Sequence, residues 1–195
     1  MDNDRLVDRL VERGVLKTER IVRAFRKVDR GNFVLPAYRK YAYVDDALPH
    51  LGGQTIPQPS TVATMLELLQ PKGVGLDVGT GSGYTAALMS ELCKELHTVE
   101  RVQELYLFAK EKLKNRKNIK IYLGDGSRGI PGRKFDCILV TAEAPRIPEE
   151  LKKQLKEEGR IVMPVSGSLV LGEMRGEFRV LERLWGFVFV PLKGV

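Results

Sequence analysis

The spacing of apolar residues predicts a helical start to the chain, followed by an irregular segment. Apolar residues recur at helix spacing over residues 6–11, and Thr18 can cap a second helix that begins after it. Over residues 33–59 this periodicity breaks, and the segment contains three tyrosines and four prolines. A long irregular segment in a compact chain usually has a function. Ser60 can then cap a third helix over residues 61–69.

After residue 69, short apolar runs alternate with amphipathic helices. This alternation predicts a mostly parallel sheet with helices on both faces, that is, a three-layer α/β fold. The last two strand-like runs have no helix between them, which predicts antiparallel strands at one edge of the sheet. The expected strands cover residues 74–78, 96–99, 119–123, 135–140, 160–165, 168–174 and 178–184; the expected helices cover residues 84–92, 102–113 and 149–155; and a final apolar run covers residues 186–192.

Length and cysteine usage predict one domain in a reducing compartment. The 195 residues suit a single domain, in which residues 1–59 form an N-terminal cover and residues 60–195 form the core. No apolar run approaches the roughly 18 residues of a membrane span, and the polar N-terminus does not resemble a secretory signal. Cys93 and Cys137 lack metal-ligand or redox spacing, so we expect buried thiols, a cytoplasmic protein and no metal site.

The charge of the chain could suggest a nucleic-acid partner. Lys and Arg number 32 against 25 for Asp and Glu, a net charge of +7. However, the basic residues form no stripe with aromatic residues between them, so nucleic acid is not the expected partner. The sequence does not predict an oligomeric state.

A glycine-rich loop over residues 76–84 is the sharpest sign of a ligand site. It reads Leu-Asp-Val-Gly-Thr-Gly-Ser-Gly-Tyr, follows a predicted strand and precedes a predicted helix. Glycines let the backbone turn tightly and let a ligand approach closely. Tyr84 stands where the dinucleotide-binding pattern has its third glycine, and no P-loop lysine follows. The loop therefore does not favour a phosphate site.

Three acidic residues lie at the carboxyl ends of predicted parallel strands. Asp77 ends the strand before the glycine loop, where an acid suits a cationic ligand. Glu100 follows Gly79 by 21 residues, and an acid in that place can accept hydrogen bonds from both ribose hydroxyls. Asp125 ends the third strand, where it can bind the adenine amino group. Because ligands of open α/β sheets bind at the carboxyl ends of strands, the three acids predict a site for an adenosyl ligand such as S-adenosylmethionine.

With these features the sequence resembles Rossmann-like S-adenosylmethionine-dependent methyltransferases. Further segments narrow the resemblance to the protein-L-isoaspartate (D-aspartate) O-methyltransferase family, over residues 16–192. The glycine loop is shared by many methyltransferases, whereas Gly-Gln-Thr-Ile and Thr-Ala-x-Ala-Pro, in which x is any residue, are much more specific to this family. The segments lie at residues 42–45, 48–49, 53–56, 124–126, 135–136, 140–145, 151–155, 159–165 and 189–192.

The resemblance implies repair of damaged protein. The family methylates the free α-carboxylate of isoaspartyl residues with S-adenosylmethionine as cofactor, and the ester then closes to a succinimide that can reopen to aspartate. The expected partners are peptides or proteins that contain isoaspartate. The implied cofactor-binding residues are Asp77, Gly79, Thr80, Gly81, Ser82, Gly83, Glu100, Arg101, Asp125 and Gly126, and the implied substrate-binding residues are Asp45, Gln54, Thr55, Ile56, Thr141 and Ala142.

One position departs from the family in a way that bears on catalysis. The family pattern continues Gly-Gln-Thr-Ile-Ser, and the serine is treated as the active-site residue, but Pro57 stands there in this chain. Proline has neither a hydroxyl nor a backbone N–H. Thr55 or Ser60 could supply a substitute donor, although Ser60 can equally be a plain helix cap. Two alternatives therefore stay open: a methyltransferase of this fold with another acceptor, and an inactive module that only binds S-adenosylmethionine.

Overall fold

A seven-stranded sheet forms the centre of the computed structural model, which describes residues 2–194. The strand order is β5-β4-β3-β6-β7-β8-β9; β3 to β7 run parallel, and β8 and β9 are antiparallel additions at one edge. The mostly parallel sheet and its antiparallel C-terminal strands confirm the predicted fold class. The strands are β3 (Val74–Val78), β4 (Glu95–Glu100), β5 (Ile119–Leu123), β6 (Phe135–Val140), β7 (Leu155–Val165), β8 (Ser168–Arg175) and β9 (Glu177–Trp185).

Alternate residues of the parallel strands face two separate apolar clusters. In β6, Cys137 and Leu139 pack into one cluster, and Ile138 and Val140 pack into the other. The period of two residues follows from the pleat of a strand, and it gives the sheet a helical layer on each face. No helix within residues 2–194 is long and apolar enough to cross a membrane. The helices are α1 (Asn3–Glu12), α2 (Glu19–Lys27), α3 (Pro59–Leu69), α4 (Tyr84–Ser90), α5 (Gln103–Leu113) and α6 (Glu149–Lys153).

Helix α3 begins earlier than the sequence predicted. Its first residue is Pro59, and Gln58 is the N-cap. Proline is favourable at the first helical position because it lacks an N–H and its φ is already helical. Ser60 is therefore not the cap, and its own N–H donates to Asp45 at 2.8 Å.

Strand β7 is longer than the apolar pattern indicated. It begins at Leu155 rather than at residue 160, so α6 ends at Lys153. The pairing of β7 with β6 shifts register between residues 155 and 160, and the additional polar residues of β7 lie in this irregular part. Gly159 lies at this irregularity, where a Cβ would stand 2.9 Å from the carbonyl oxygen of Phe135. Close backbone approach thus requires glycine there.

The irregular segment contains a short hairpin that packs against the core. Strands β1 (Leu48–Pro49) and β2 (Thr55–Ile56) pair antiparallel, and Gly52 between them has a φ of 61°. The His50 ring lies buried against Phe108 of α5, with 4.7 Å between the ring centroids. The hairpin is thereby held over the carboxyl ends of the strands.

Candidate active site

The carboxyl ends of β3, β4, β5 and β6 open into one cleft of about 1110 Å³. The loops after these strands form its floor, the β1–β2 hairpin and the start of α3 form one wall, and the segment after β9 forms another. The volume is that of a site for a cofactor-sized ligand. Of the residues expected at a site, those that line the cleft are Gln54, Thr55, Pro57, Gly79, Thr80, Gly81, Ser82, Glu100, Arg101, Asp125, Gly126, Thr141 and Ala142.

The glycine loop turns through three left-handed residues. Gly79, Gly81 and Gly83 have φ values of 93°, 54° and 88°, which side chains rarely adopt. A Cβ at Gly81 would make only an ordinary contact, 3.9 Å from the carbonyl oxygen of Gly79, so the positive φ and not crowding favours glycine there. Gly83 lies outside the cleft: a Cβ there would press on Leu113 of α5 at 3.3 Å. Glycine at this position lets α4 pack closely on α5, and contact of Gly83 with the cofactor stays a prediction.

Glu100 is held rigidly at the end of β4. One carboxylate oxygen accepts the N–H of Gly81 at 2.8 Å, and the other accepts the N–H of Val102 at 2.8 Å. The side chain lines the cleft although the residue is buried. A carboxylate accepts about four hydrogen bonds. Glu100 can therefore accept two hydroxyl groups of a ligand without losing its backbone partners.

Asp125 and Gly126 follow β5 at the other end of the cleft. One oxygen of Asp125 accepts the N–H of Ser127 at 2.9 Å, which fixes the side chain. A Cβ at Gly126 would stand 2.7 Å from Val78, so the backbone here packs directly on β3. The arrangement leaves carboxylate lone pairs of Asp125 for an amino group in the cleft.

Asp77 lies beneath the glycine loop and does not line the cleft. It is 0% exposed, and one of its oxygens accepts the Thr98 hydroxyl at 2.8 Å. The other oxygen is buried without a partner among residues 2–194. Burial raises the pKa of Asp77 to about 7, and the nearby Glu100 charge adds to this. The Thr98 hydroxyl also pairs with the hydroxyl of Thr80 in the glycine loop at 2.6 Å, which links this carboxyl to the loop; contact of Asp77 with the cofactor stays a prediction.

Three residues expected near the substrate support the wall without lining the cleft. Asp45 accepts hydrogen bonds from Arg13 at 2.6 Å and from the N–H of Ser60 at 2.8 Å. Partial burial raises the pKa of Asp45, but these hydrogen bonds outweigh that effect and hold it below its usual value. Ile56 packs in the core, and the Ser60 hydroxyl accepts from the Gln58 side chain at 3.1 Å. From these positions the three residues can stabilise the hairpin and the start of α3.

Thr141 lines the cleft but uses its hydroxyl internally. The hydroxyl donates to the carbonyl oxygen of Gly79 at 2.9 Å, which ties the loop after β6 to the glycine loop. Gln54, Thr55 and Pro57 line the wall opposite.

Other cleft residues were not singled out from the sequence. Thr61 and Thr85 occupy the first turns of α3 and α4, where no motif marks them. The sequence marks the segment after β9 as an apolar run that contains one family segment, residues 189–192, but it does not predict that this segment lines the cleft. Its link to the loop after β6, through the N–H of Leu192 and the carbonyl of Glu143 at 2.7 Å, brings it to the cleft. The segment contributes Gly186, Phe187, Val188, Phe189, Val190, Pro191, Leu192 and Lys193.

A family model described as protein-L-isoaspartate (D-aspartate) O-methyltransferase matches residues 1–194. The chain belongs to this family. An isoaspartate methyltransferase of Pyrococcus horikoshii is 42% identical, with 97% of this chain and 92% of the relative covered. One of Methanopyrus kandleri is 44% identical, with 98% and 91% covered.

A solved isoaspartate methyltransferase has the same architecture over the whole chain. The protein comes from Plasmodium falciparum and was crystallised with S-adenosyl-L-homocysteine. It is 26% identical, 100% of both chains is covered, and the TM-score is 0.86. The family resemblance inferred from the motifs is confirmed by these comparisons.

Proposed function

We propose that this chain methylates the α-carboxylate of L-isoaspartyl and D-aspartyl residues in damaged proteins, with S-adenosylmethionine as methyl donor. The proposal rests on one observation: in a chain of this family, the Gln54–Pro57 wall and the Glu100 and Asp125 carboxylates share a single cleft. The substrates would be peptides or proteins that contain isoaspartate. The methyl ester would begin repair, because it closes to a succinimide that can reopen to aspartate.

The residues of the cleft fit S-adenosylmethionine. Glu100 presents a fixed carboxylate to a ribose diol, and Asp125 presents one to an adenine amino group. The Asp77 carboxyl near the glycine loop has a pKa of about 7, and in its ionised form it adds negative potential there. Carboxylates in these three places suit a ligand that carries a sulfonium and an ammonium group. We propose Gly79, Thr80, Gly81, Ser82, Arg101 and Gly126 as the remaining contacts.

The reaction requires alignment of the acceptor carboxylate with the methyl group rather than acid–base catalysis. When bound, S-adenosylmethionine supplies the methyl group as a strong electrophile. The acceptor carboxylate has an ordinary pKa near 4, so it is ionised at neutral pH and the chain needs no general base. The hairpin, α3 and the segment after β9 would hold the acceptor in line and exclude water.

Domain organisation and location are also proposals. We propose that residues 60–195 form the cofactor-binding core and residues 1–59 its cover within one domain. The contacts of the hairpin with α5 support this division.

The Cys93 and Cys137 sulfurs lie 3.7 Å apart as free, buried thiols, which supports a reducing, cytoplasmic location.

The test uses methyl-labelled S-adenosylmethionine and two peptides that differ only in isoaspartate or aspartate at one position. We expect a base-labile label on the isoaspartyl peptide alone. A Glu100→Ala variant controls for label that does not come from this cleft. Label on neither peptide, with cofactor binding intact, would contradict the proposal and favour another acceptor or a binding module. Pro57→Ser would then show whether the missing hydroxyl is the cause.

A further inference from the structure

Position 57 cannot donate a hydrogen bond to a substrate carboxylate. Pro57 has no hydroxyl and no N–H, and its carbonyl oxygen accepts from the buried Arg30 guanidinium at 3.1 Å. A carboxylate brought to this wall nevertheless needs donors, because its charge loses water on entering the cleft. The donor must therefore come from another residue of the wall.

The hydroxyl groups near position 57 differ in whether they already have a hydrogen-bond partner and in whether they reach the cleft. The Ser60 hydroxyl pairs with Gln58 and does not line the cleft. The Thr64 hydroxyl donates back to the carbonyl of Ser60 at 2.9 Å, one turn further along α3. Thr55 lines the cleft, but it lies exposed on β2, where water competes for its hydroxyl.

Thr61 combines burial, a free hydroxyl and a place in the cleft. Only 8% of the residue is exposed, and it lines the cleft from the first turn of α3. Among residues 2–194, neither its hydroxyl nor its amide has a hydrogen-bond partner. The Thr61 oxygen is not one of the sealed side-chain atoms that lack a partner within residues 2–194, so it is accessible, and the open space that the residue lines is the cleft.

The backbone around Thr61 strengthens the site for an anion. Helix α3 has 11 residues, and its N-terminus carries partial positive charge. Pro59 has no N–H, the N–H of Ser60 goes to Asp45, and the N–H of Val62 goes to Gln58. The amide of Thr61 is thus left available beside its own hydroxyl.

We propose that Thr61 binds the isoaspartyl α-carboxylate and takes over the role that the serine hydroxyl would have at position 57. This inference rests on the proposed function, because it names the residue that holds the acceptor of that reaction. Thr61 acts by holding the ionised carboxylate in place, and it transfers no proton.

The test measures kcat/KM for the isoaspartyl peptide and Kd for S-adenosylmethionine. We expect Thr61→Val, which keeps the shape and removes the hydroxyl, to lower kcat/KM by about 10- to 100-fold, as for loss of a hydrogen bond to a charged group. The cofactor Kd should stay within about twofold, and Thr61→Ser should keep kcat/KM within about threefold of the unaltered chain. Thr64→Val is the matched control on the same helix and should change neither quantity.

A relocation experiment separates substrate binding from a merely structural role. Pro57→Ser in the Thr61→Val background returns a hydroxyl to the wall at position 57 and should recover much of the lost kcat/KM. Melting temperatures of all variants check folding, and Thr61→Ala repeats the test if the valine variant unfolds.

Three results would overturn the inference and leave the proposed function in place. In the first, Thr61→Val matches Thr64→Val while the unaltered chain methylates the peptide; Thr61 is then not the donor, and the proposed function stands. In the second, Thr55→Val causes the loss instead. In the third, Thr61→Val weakens cofactor binding by the same factor as kcat/KM, which assigns Thr61 to the cofactor. Absence of turnover by the unaltered chain would overturn both the inference and the proposed function.

Discussion

Single carboxylates in this protein have different roles although their sequence positions look alike. Glu100 and Asp125 line the cleft, whereas Asp77, at the end of a neighbouring strand, is sealed beneath the glycine loop. All three lie at the carboxyl ends of parallel strands. What distinguishes them is the direction of each side chain, which the strand position alone does not reveal.

Glu100 offers a direct test of the adenosyl site. Glu100→Gln keeps the size of the side chain but removes the charge and replaces one acceptor with a donor, facing the N–H of Gly81 or Val102. We expect Kd for S-adenosylmethionine to rise by about 10- to 100-fold, as for hydrogen bonds to a charged group. Calorimetry would measure this, with Glu104→Gln, an exposed acid on α5, as control. A Kd unchanged in Glu100→Gln would remove Glu100 from the site.

The raised pKa of Asp77 predicts that the free energy of unfolding depends on pH. Its pKa in the folded chain is raised to about 7, from an ordinary value of 3.8 in the unfolded chain. The unfolded chain therefore loses this proton first, so the contribution is present below about pH 4 and is lost as the pH rises towards about 7.

The measurement is the melting temperature between about pH 4 and about pH 8 for the unaltered chain and Asp77→Asn. The unaltered chain should lose more stability over this interval than the variant, because asparagine does not ionise. Parallel curves would show that the Asp77 carboxyl does not titrate in this range.

At the scale of elements, Arg30 organises the cover of the cleft. Its guanidinium is 0% exposed and donates to the carbonyl oxygens of Ala42 at 2.7 Å, Asp46 at 3.0 Å and Pro57 at 3.1 Å. Burial lowers the pKa of this guanidinium below its usual value. One side chain thus replaces the regular backbone hydrogen bonds that an irregular segment lacks.

Removal of the Arg30 guanidinium should loosen the cover. Arg30→Met leaves buried carbonyls without donors, each at a cost of about 1–3 kcal/mol, so we expect the free energy of unfolding to fall by about 3 kcal/mol. Urea unfolding would measure it, and Arg39→Met, at an exposed position of the same cover, should change it by less than about 0.5 kcal/mol. Equal effects of both variants would contradict this role of Arg30.

At the scale of the whole molecule, the cleft is closed by parts of the chain that are far apart in sequence. The hairpin comes from before α3, and the segment after β9 comes from the end of the sheet. Glu143 connects that segment to the loop after β6 through hydrogen bonds with Val190 and Leu192. Gly194 lies against Asp125, so the segment covers the proposed adenine end.

Deletion of residues 186–195 should therefore weaken cofactor binding while the sheet stays folded. We expect Kd for S-adenosylmethionine to rise by about tenfold, which corresponds to loss of roughly 55 Å² of apolar contact at about 25 cal/mol per Å². Trp185→Ala is the control, since this exposed side chain precedes the segment and does not line the cleft. Unchanged affinity after the deletion would show that the segment is not part of the site.

The sequence by itself determined the chain order of the helices and of the seven strands of the main sheet, and the place of the glycine loop, but not the β1–β2 hairpin. Both are local: the pleat and the helix repeat impose their periods on apolar residues, and left-handed turns require glycine. The family followed from segments such as Gly-Gln-Thr-Ile.

Only the tertiary structure decided which side chains face the cleft. Thr61 faces it and Ser60 does not, because α3 begins at Pro59 and this start sets the face that each residue presents. The apolar run after β9 becomes a wall of the cleft only because distant backbone groups pair with it. Such contacts depend on segments more than 40 residues apart, as between Glu143 and Leu192, and no local pattern records them.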